Sequence, residues 1–103
     1  MATKFEYDDD GPYIHKDPDA VLDYALDWNA PGEEWLGTDT ITGTPVWTVA
    51  SGLTKDSQSN TTTTATVWLS GGTAGATYSV ACKITTAGGR TDERTFRVIC
   101  VQR

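Results

Sequence analysis

The fold is decided by residues 77–100, which read TYSVACKITTAGGRTDERTFRVIC. On both sides of the glycine pair Gly88-Gly89, apolar residues occupy every second position: Tyr78, Val80, Cys82, Ile84, Phe96, Val98 and Cys100. A period of two is typical of a β-strand with one buried face. Two such runs joined by a short glycine turn predict an antiparallel hairpin, with strands at 77–86 and 95–102.

The same alternation occurs earlier in the chain, where Leu22, Tyr24, Leu26 and Trp28 alternate with small or acidic residues. We predict a strand rather than a helix there, because four large residues share one face only at period two. Further strands are predicted at 38–42, 46–49 and 61–70, and residues 53–60 are predicted to be a polar connection. About seven short antiparallel strands separated by Gly, Pro and Asn predict an all-β fold, an Ig-like β-sandwich over residues 20–103, with an OB barrel as the lesser alternative.

Residues 1–19 are predicted to form an extended N-terminal arm, because the breakers DDDGP (8–12) and DPD (17–19) interrupt any regular period. The arm nevertheless carries four apolar anchors: Phe5, Tyr7, Tyr13 and Ile14. Such anchors in a polar segment indicate that it lies across its own domain or a neighbour. The first ten residues are acidic, not a secretory signal, and no apolar run in the chain is long enough for a spanning helix.

Charge is distributed unevenly along the 103 residues, whose total is −6. Residues 1–39 hold eleven acidic residues against Lys4 and Lys16, and residues 40–103 have a net charge of +3. The acidity argues against nucleic acid as a partner, since affinity for nucleic acid comes mainly from neutralised phosphates. Two interpretations of the split stay open: a solubilising acidic end, or pairing with the basic segment of a neighbouring copy.

The two cysteines fall in phase with the buried positions of the predicted hairpin. In that hairpin Cys82 lies opposite a residue near Thr95 rather than opposite Cys100. We therefore predict two free, buried thiols that behave as small hydrophobic residues.

No catalytic residue, cofactor or metal is predicted. The single histidine, His15, is predicted to lie at the surface, and adjacent solvated carboxylates do not supply separated pKa values for acid–base chemistry. Calcium on the aspartates of the arm is the alternative that stays open, although the spacing of an EF-hand is absent. The glycine-rich residues 70–75 lack the Lys-Ser/Thr ending of a phosphate loop and are predicted to be a turn.

Surface contacts are therefore the expected function. Residues 90–94 (RTDER) form either a self-paired loop or a polar contact patch. Trp28, Trp47 and Trp68 are predicted to lie in the core, and Trp35 is the candidate for an exposed ring. The predicted interface residues are Phe5, Tyr7, Tyr13, Ile14, Trp35, Arg90, Asp92, Glu93 and Arg94.

Several runs carry a resemblance that covers residues 16–103: KDPDAVLDY (16–24), VWLSGGTAG (67–75) and GRTDERT (89–95). The chain resembles small Ig-like virion proteins of tailed bacteriophages, of the fibre–tail adaptor type. The resemblance implies a multicopy virion component that links other proteins. From it and the charge split we expect an adaptor that joins tail or neck to fibres, in a homo-oligomeric ring or similar multicopy array. The expected partners are other virion proteins, without nucleic acid or membrane, and assembly is expected in the host cytoplasm. The alternatives are a capsid decoration or cement protein and, further away, a carbohydrate-binding module for the host surface.

Overall fold

The computed structural model describes residues 5–9, 11–30 and 33–102, and its regular structure is all β, as predicted. The ten strands are β1 (Glu6–Asp8), β2 (Gly11–Lys16), β3 (Leu22–Asp27), β4 (Asn29–Ala30), β5 (Glu33–Glu34), β6 (Ile41–Val49), β7 (Leu53–Asn60), β8 (Thr64–Gly71), β9 (Thr77–Thr86) and β10 (Thr91–Cys100). Within the described ranges no helix is long and apolar enough to cross a membrane.

Two sheets face each other in a sandwich. One has five strands in the order β1-β2-β10-β9-β6, the other has three in the order β3-β8-β7, and β4 and β5 form a separate pair. The inward residues of both sheets make one core. It contains Tyr24, Leu26, Trp28, Leu36, Ile41, Trp47, Leu53, Ala65, Val67, Leu69, Tyr78, Val80, Cys82, Ile84, Phe96, Val98 and Cys100. In each sheet the side chains at every second position face the core. The side chains at the positions between them therefore face outward.

The predicted hairpin is present as β9 and β10. Cys82 lies opposite Arg94, one residue from the position that the sequence predicts, and both thiols are free and buried. Burial raises the pKa of the Cys82 thiol to about 12. A thiol with so high a pKa carries little thiolate at neutral pH, so it acts as a packing residue.

Two strand predictions in the middle of the chain were wrong. The predicted strands 38–42 and 46–49 are one strand, β6, and the predicted polar connection 53–60 is the strand β7. Of the residues of β7, Leu53 is buried and Gln58 partly buried. An edge strand with so few inward contacts carries no apolar alternation, which explains why its pattern resembles that of a loop.

Residues 5–19, which belong to the predicted extended arm, contain two strands that extend the five-stranded sheet. Strand β2 pairs in parallel with β10, unlike the antiparallel pairing predicted throughout, and β1 folds back onto β2. The fully buried Lys16 anchors this segment, because its Nζ donates to the carbonyl oxygens of Gly71 (2.8 Å) and Asp17 (2.9 Å). A buried ammonium group held by two acceptors is costly to displace, so β2 is an integral part of the sandwich.

The glycine-rich segment 70–75 includes the last two residues of β8 and then turns, from residue 72, towards β9. Gly72 has a φ of +98°, and a Cβ atom there would collide with the sulfur of Cys100. The backbone N–H of Thr73 donates to the hydroxyl of Tyr78 at 2.9 Å. Glycine is required at Gly72 by both the left-handed backbone and the close approach of β10.

The two edge strands on one side of the sandwich are irregular. Strand β6 has a bulge between Thr42 and Val46, which includes Pro45, and β7 has a bulge between Lys55 and Ser57. Bulges, proline and charge are the devices by which natural sheets block the addition of a further strand.

Candidate interaction surface

Arg90 fastens the loop that follows β5 to the start of β10. Its guanidinium carbon lies 4.3 Å from the centroid of the Trp35 ring, and its Nε donates to the Asp39 carboxylate at 3.1 Å. Hydrogen bonds from the Thr86 hydroxyl, and then from backbone N–H groups and Arg90, hold the pKa of Asp39 down at about 2, although partial burial opposes the shift. The carboxylate is therefore charged at neutral pH.

Arg94 makes a second set of contacts of the same kind, with Trp28. Its guanidinium carbon lies 4.9 Å from the centroid of that ring, and its Nε is 3.5 Å from the Asp92 carboxylate. The fully buried Trp28 in turn donates its indole N–H to Asp92 at 2.9 Å. Alternation along β10 turns Asp92 and Arg94 inward at this end of the sandwich, which brings both to the ring.

Arg97 makes the third set on the outer face of the five-stranded sheet. Its guanidinium carbon lies 5.4 Å from the centroid of the Tyr13 ring, and its Nη2 donates to the carboxylate of Asp8 and to the carbonyl oxygen of Gly11. The charge of Glu6, opposite Tyr13 on β1, raises the pKa of the tyrosine. Arg97 thus connects β1 and β2 to β10.

The three arginines share one arrangement, in which a guanidinium group covers an aromatic ring and pairs with an aspartate. Arg90 and Arg97 bind aspartates of the acidic part of the chain, whereas Asp92 lies in the basic part. The uneven charge of the sequence is thus partly neutralised within one molecule. Cation–π contacts of this kind contribute about 0.5–1 kcal/mol each at exposed sites and more where water is excluded.

The predicted interface residues divide into two groups. Phe5 packs on Phe96 with ring centroids 4.8 Å apart, Ile14 packs on the core, and Tyr13, Trp35, Asp92 and Arg94 are engaged as described. Arg90 is exposed but is engaged with Trp35 and Asp39. By contrast, Tyr7 is 70% exposed, and Glu93 is also exposed. Within residues 90–94 the structure contains one ion pair, between Arg94 and Asp92, whereas Arg90 pairs with Asp39 outside the set and Glu93 is exposed.

The predictions for the tryptophans were right for two rings and wrong for two. Trp28 and Trp47 lie in the core at 0% and 8% exposure, but Trp68 is 40% exposed and Trp35 is partly buried beneath Arg90. Because Ala65, Val67 and Leu69 face inward on β8, Trp68 must face outward. The sequence does not show this orientation. In the run Val67-Trp68-Leu69 all three residues are apolar, so the pattern does not reveal which of them face the core.

Trp68 stands on the central strand of the three-stranded sheet among short side chains. Its neighbours across the sheet are Asp23 on β3 and Ser57 on β7, directly opposite in register. Side chains opposite each other in an antiparallel pair share a face, with Cβ atoms about 4.5–5.5 Å apart. The Asp56 carboxylate also lies on this face, where it accepts a hydrogen bond from the hydroxyl of Ser70 at 3.1 Å.

No cluster suited to a metal occurs in the described ranges, where no three His, Cys, Asp or Glu side chains come close enough together to hold an ion. His15 is exposed, as predicted, and its ring meets the edge of Tyr13 at 5.7 Å between centroids.

Comparison with known families identifies the chain. A family model described as podophage GP4 fiber-tail adaptor protein gp77 matches residues 16–99. The chain belongs to this family. The matched region begins at the buried Lys16, the last residue of β2, and ends one residue before the end of β10. It includes strands β3 to β9 and the Trp28 and Trp35 contacts, whereas β1 and the rest of β2 precede it. A search of curated proteins finds no match.

Proposed function

We propose that the protein is a bacteriophage virion subunit that joins fibres to the tail or neck through protein–protein contacts. The observation that carries the proposal is the match of residues 16–99 to a family of fiber-tail adaptor proteins. The sandwich supports this structural role, because its charged and aromatic groups hold its own strands and loops together. We propose a purely structural role without catalysis.

The exposed members of the predicted interface set are the strongest candidates for contact with other virion proteins. Tyr7 projects from the short edge strand β1, and Glu93 projects from the outer face of β10. A large exposed aromatic ring is the kind of side chain that dominates protein interfaces. The engaged residues Trp35, Arg90 and Arg94 then serve to fix the shape of the end of the sandwich.

We further propose that several copies act together in the particle. Native mass spectrometry at rising protein concentration tests self-association. The parent protein is compared with Tyr7→Ser, which removes the exposed aromatic ring on β1. Deleting residues 1–19 would remove β1, β2 and the Lys16 anchor. A mass equal to that of one chain at every concentration would mean that the protein does not self-associate. A different virion protein would then bring the copies together.

Cryo-electron microscopy and mass spectrometry of purified virions test the proposed function. We expect the chain in the particle, with density for its sandwich at the joint between tail and fibres. Absence of the chain from purified virions would overturn the proposal, and density on the head surface would favour the decoration role instead.

We also infer that the sandwich is Ig-like. An Ig fold places strands B, E and D in one sheet against C, F and G in the other. Strands β3, β8 and β7 correspond to the first set, and β6, β9 and β10 to the second, in the same spatial order. An experimental structure that placed β6 in the same sheet as β7 would contradict this assignment.

A further inference from the structure

Trp68 and Asp23 have two of the three parts of an arrangement that occurs three times elsewhere in the molecule. Around Trp28, Trp35 and Tyr13, a ring and an aspartate hold an arginine. Trp68 has an aspartate directly opposite in register, at Asp23. Within the described residues, however, all arginines lie between 90 and 97 and each already covers another ring.

We propose that the outer face of the three-stranded sheet binds an arginine side chain of a neighbouring virion protein, held between the Trp68 ring and the Asp23 carboxylate. That the partner is a virion protein rests on the proposed function. The chemistry of the bound group rests on the three arginine contacts within this chain.

The ring is accessible to such a partner. The neighbours of Trp68 along β8 and across the sheet are Thr66, Ser70 and Ser57, whose side chains are too short to cover an indole. Within the described residues the side chain of Trp68 makes no hydrogen bond or ring contact, and the carboxylate of Asp23 makes no hydrogen bond or ion pair. Burying such a tryptophan at an interface removes a large apolar area from water.

The charge of the face selects a cationic partner. Asp23 and Asp27 project outward from β3, and the Asp56 carboxylate lies on the same face near the β7 bulge. The remaining outward positions of β8 are threonine or serine, so no basic residue of that strand offsets these carboxylates. Arginine suits the site better than lysine, because its planar guanidinium stacks on a ring while it pairs with a carboxylate.

The first test uses the purified full chain and a hexa-arginine peptide, with a hexa-lysine peptide for comparison. The Trp68 indole N–H resonance, assigned with Trp68→Phe, is followed by NMR at low ionic strength. We expect this resonance to shift with hexa-arginine, and hexa-lysine to bind more weakly. Loss of one exposed cation–π or ion-pair contact weakens binding about two- to fivefold, so Asp23→Asn should raise the Kd by that factor.

The matched control is Glu93→Gln, which removes an exposed carboxylate from the opposite sheet. It should leave the shift of the Trp68 resonance and its Kd unchanged, apart from a small uniform effect of net charge. A Trp68 resonance that does not move would overturn the proposal. So would Asp23→Asn and Glu93→Gln variants with the same Kd, since binding would then follow net charge alone.

The second test is the cryo-electron microscopy map of the particle. We expect an arginine of another protein within about 6 Å of the Trp68 ring centroid. A chain at the joint with Trp68 in solvent, or with its ring covered by a sugar or an uncharged surface, would overturn this inference and leave the proposed function standing. A virion without the chain would overturn the proposed function, and the peptide titration would still decide the chemistry of the site.

Discussion

Trp28 and Trp68 belong to the same sandwich, and each has an aspartate beside it. Trp28 is fully buried, donates a hydrogen bond to Asp92 and is covered by Arg94. Trp68 is 40% exposed and lies directly opposite Asp23 on the neighbouring strand β3. The difference arises from strand phase, since Trp28 follows the inward residues Tyr24 and Leu26 and Trp68 lies between two inward residues. One ring stabilises the fold, and the other is available to a partner.

Truncating each ring gives the largest expected contrast. Trp28→Ala should lower the free energy of unfolding by about 3–5 kcal/mol, because it leaves a cavity and removes the donor to Asp92. Trp68→Ala should change it by less than about 1 kcal/mol, as is usual for exposed positions. Urea denaturation followed by circular dichroism measures both, and equal losses would contradict the assignment of Trp68 to the surface.

Replacing Arg94, which covers the buried Trp28, should have an intermediate effect on the free energy of unfolding. Arg94→Met keeps the aliphatic bulk but loses the cation–π contact and the pairing with Asp92, so we expect a loss of about 1–2 kcal/mol. Lys83→Met, on the neighbouring strand β9, is the control, because Lys83 is exposed and should change stability by less than about 0.5 kcal/mol. Urea midpoints for both variants test this. A similar loss in the two would mean that Arg94 contributes only general surface charge.

The smallest effect is expected at Asp39 and appears as a dependence on pH. Since the pKa of Asp39 in the folded protein, about 2, lies below the ordinary value of 3.8, its charged form stabilises the protein above about pH 4. That contribution is lost as the pH falls from 4 towards 2. Thermal melts across this range should show a smaller decline for Asp39→Asn than for the parent protein.

Thr86→Val sharpens the test, because it removes the hydroxyl that contributes most to the low pKa of Asp39. In this variant the acid-induced loss should be smaller than in the parent protein and should be complete at a higher pH. Identical melting profiles for the parent, Asp39→Asn and Thr86→Val proteins would contradict the role of these hydrogen bonds.

Strands with strict alternation could be predicted from the sequence, and strands that depend on their neighbours could not. Residues 77–86 were placed to the residue, and the buried phase of Tyr24, Leu26 and Trp28 was right, because each has a large inward side chain at every second position. Strand β2 escaped prediction because its position is fixed by parallel pairing with β10 and by the buried Lys16.

The candidate surface was predictable in composition but not in arrangement. Residues 90–94 were recognised as a polar set. Which ring each of their arginines covers depends on segments that lie 54–67 residues away in sequence. Trp68 was misplaced because its flanking residues Val67 and Leu69 made the whole run appear buried. A tryptophan between two β-strand residues that share one face is the signal that finds it.

The irregular edges of β6 and β7 have a consequence for the protein before assembly. Free adaptor molecules would reach a high local concentration before assembly. At such concentrations open strand edges promote the growth of fibrils. The bulges at Thr42–Val46 and Lys55–Ser57, with Pro45 in the first, disrupt the hydrogen-bonding template that such growth requires. Free copies should therefore remain dispersed until a specific partner meets one of their faces.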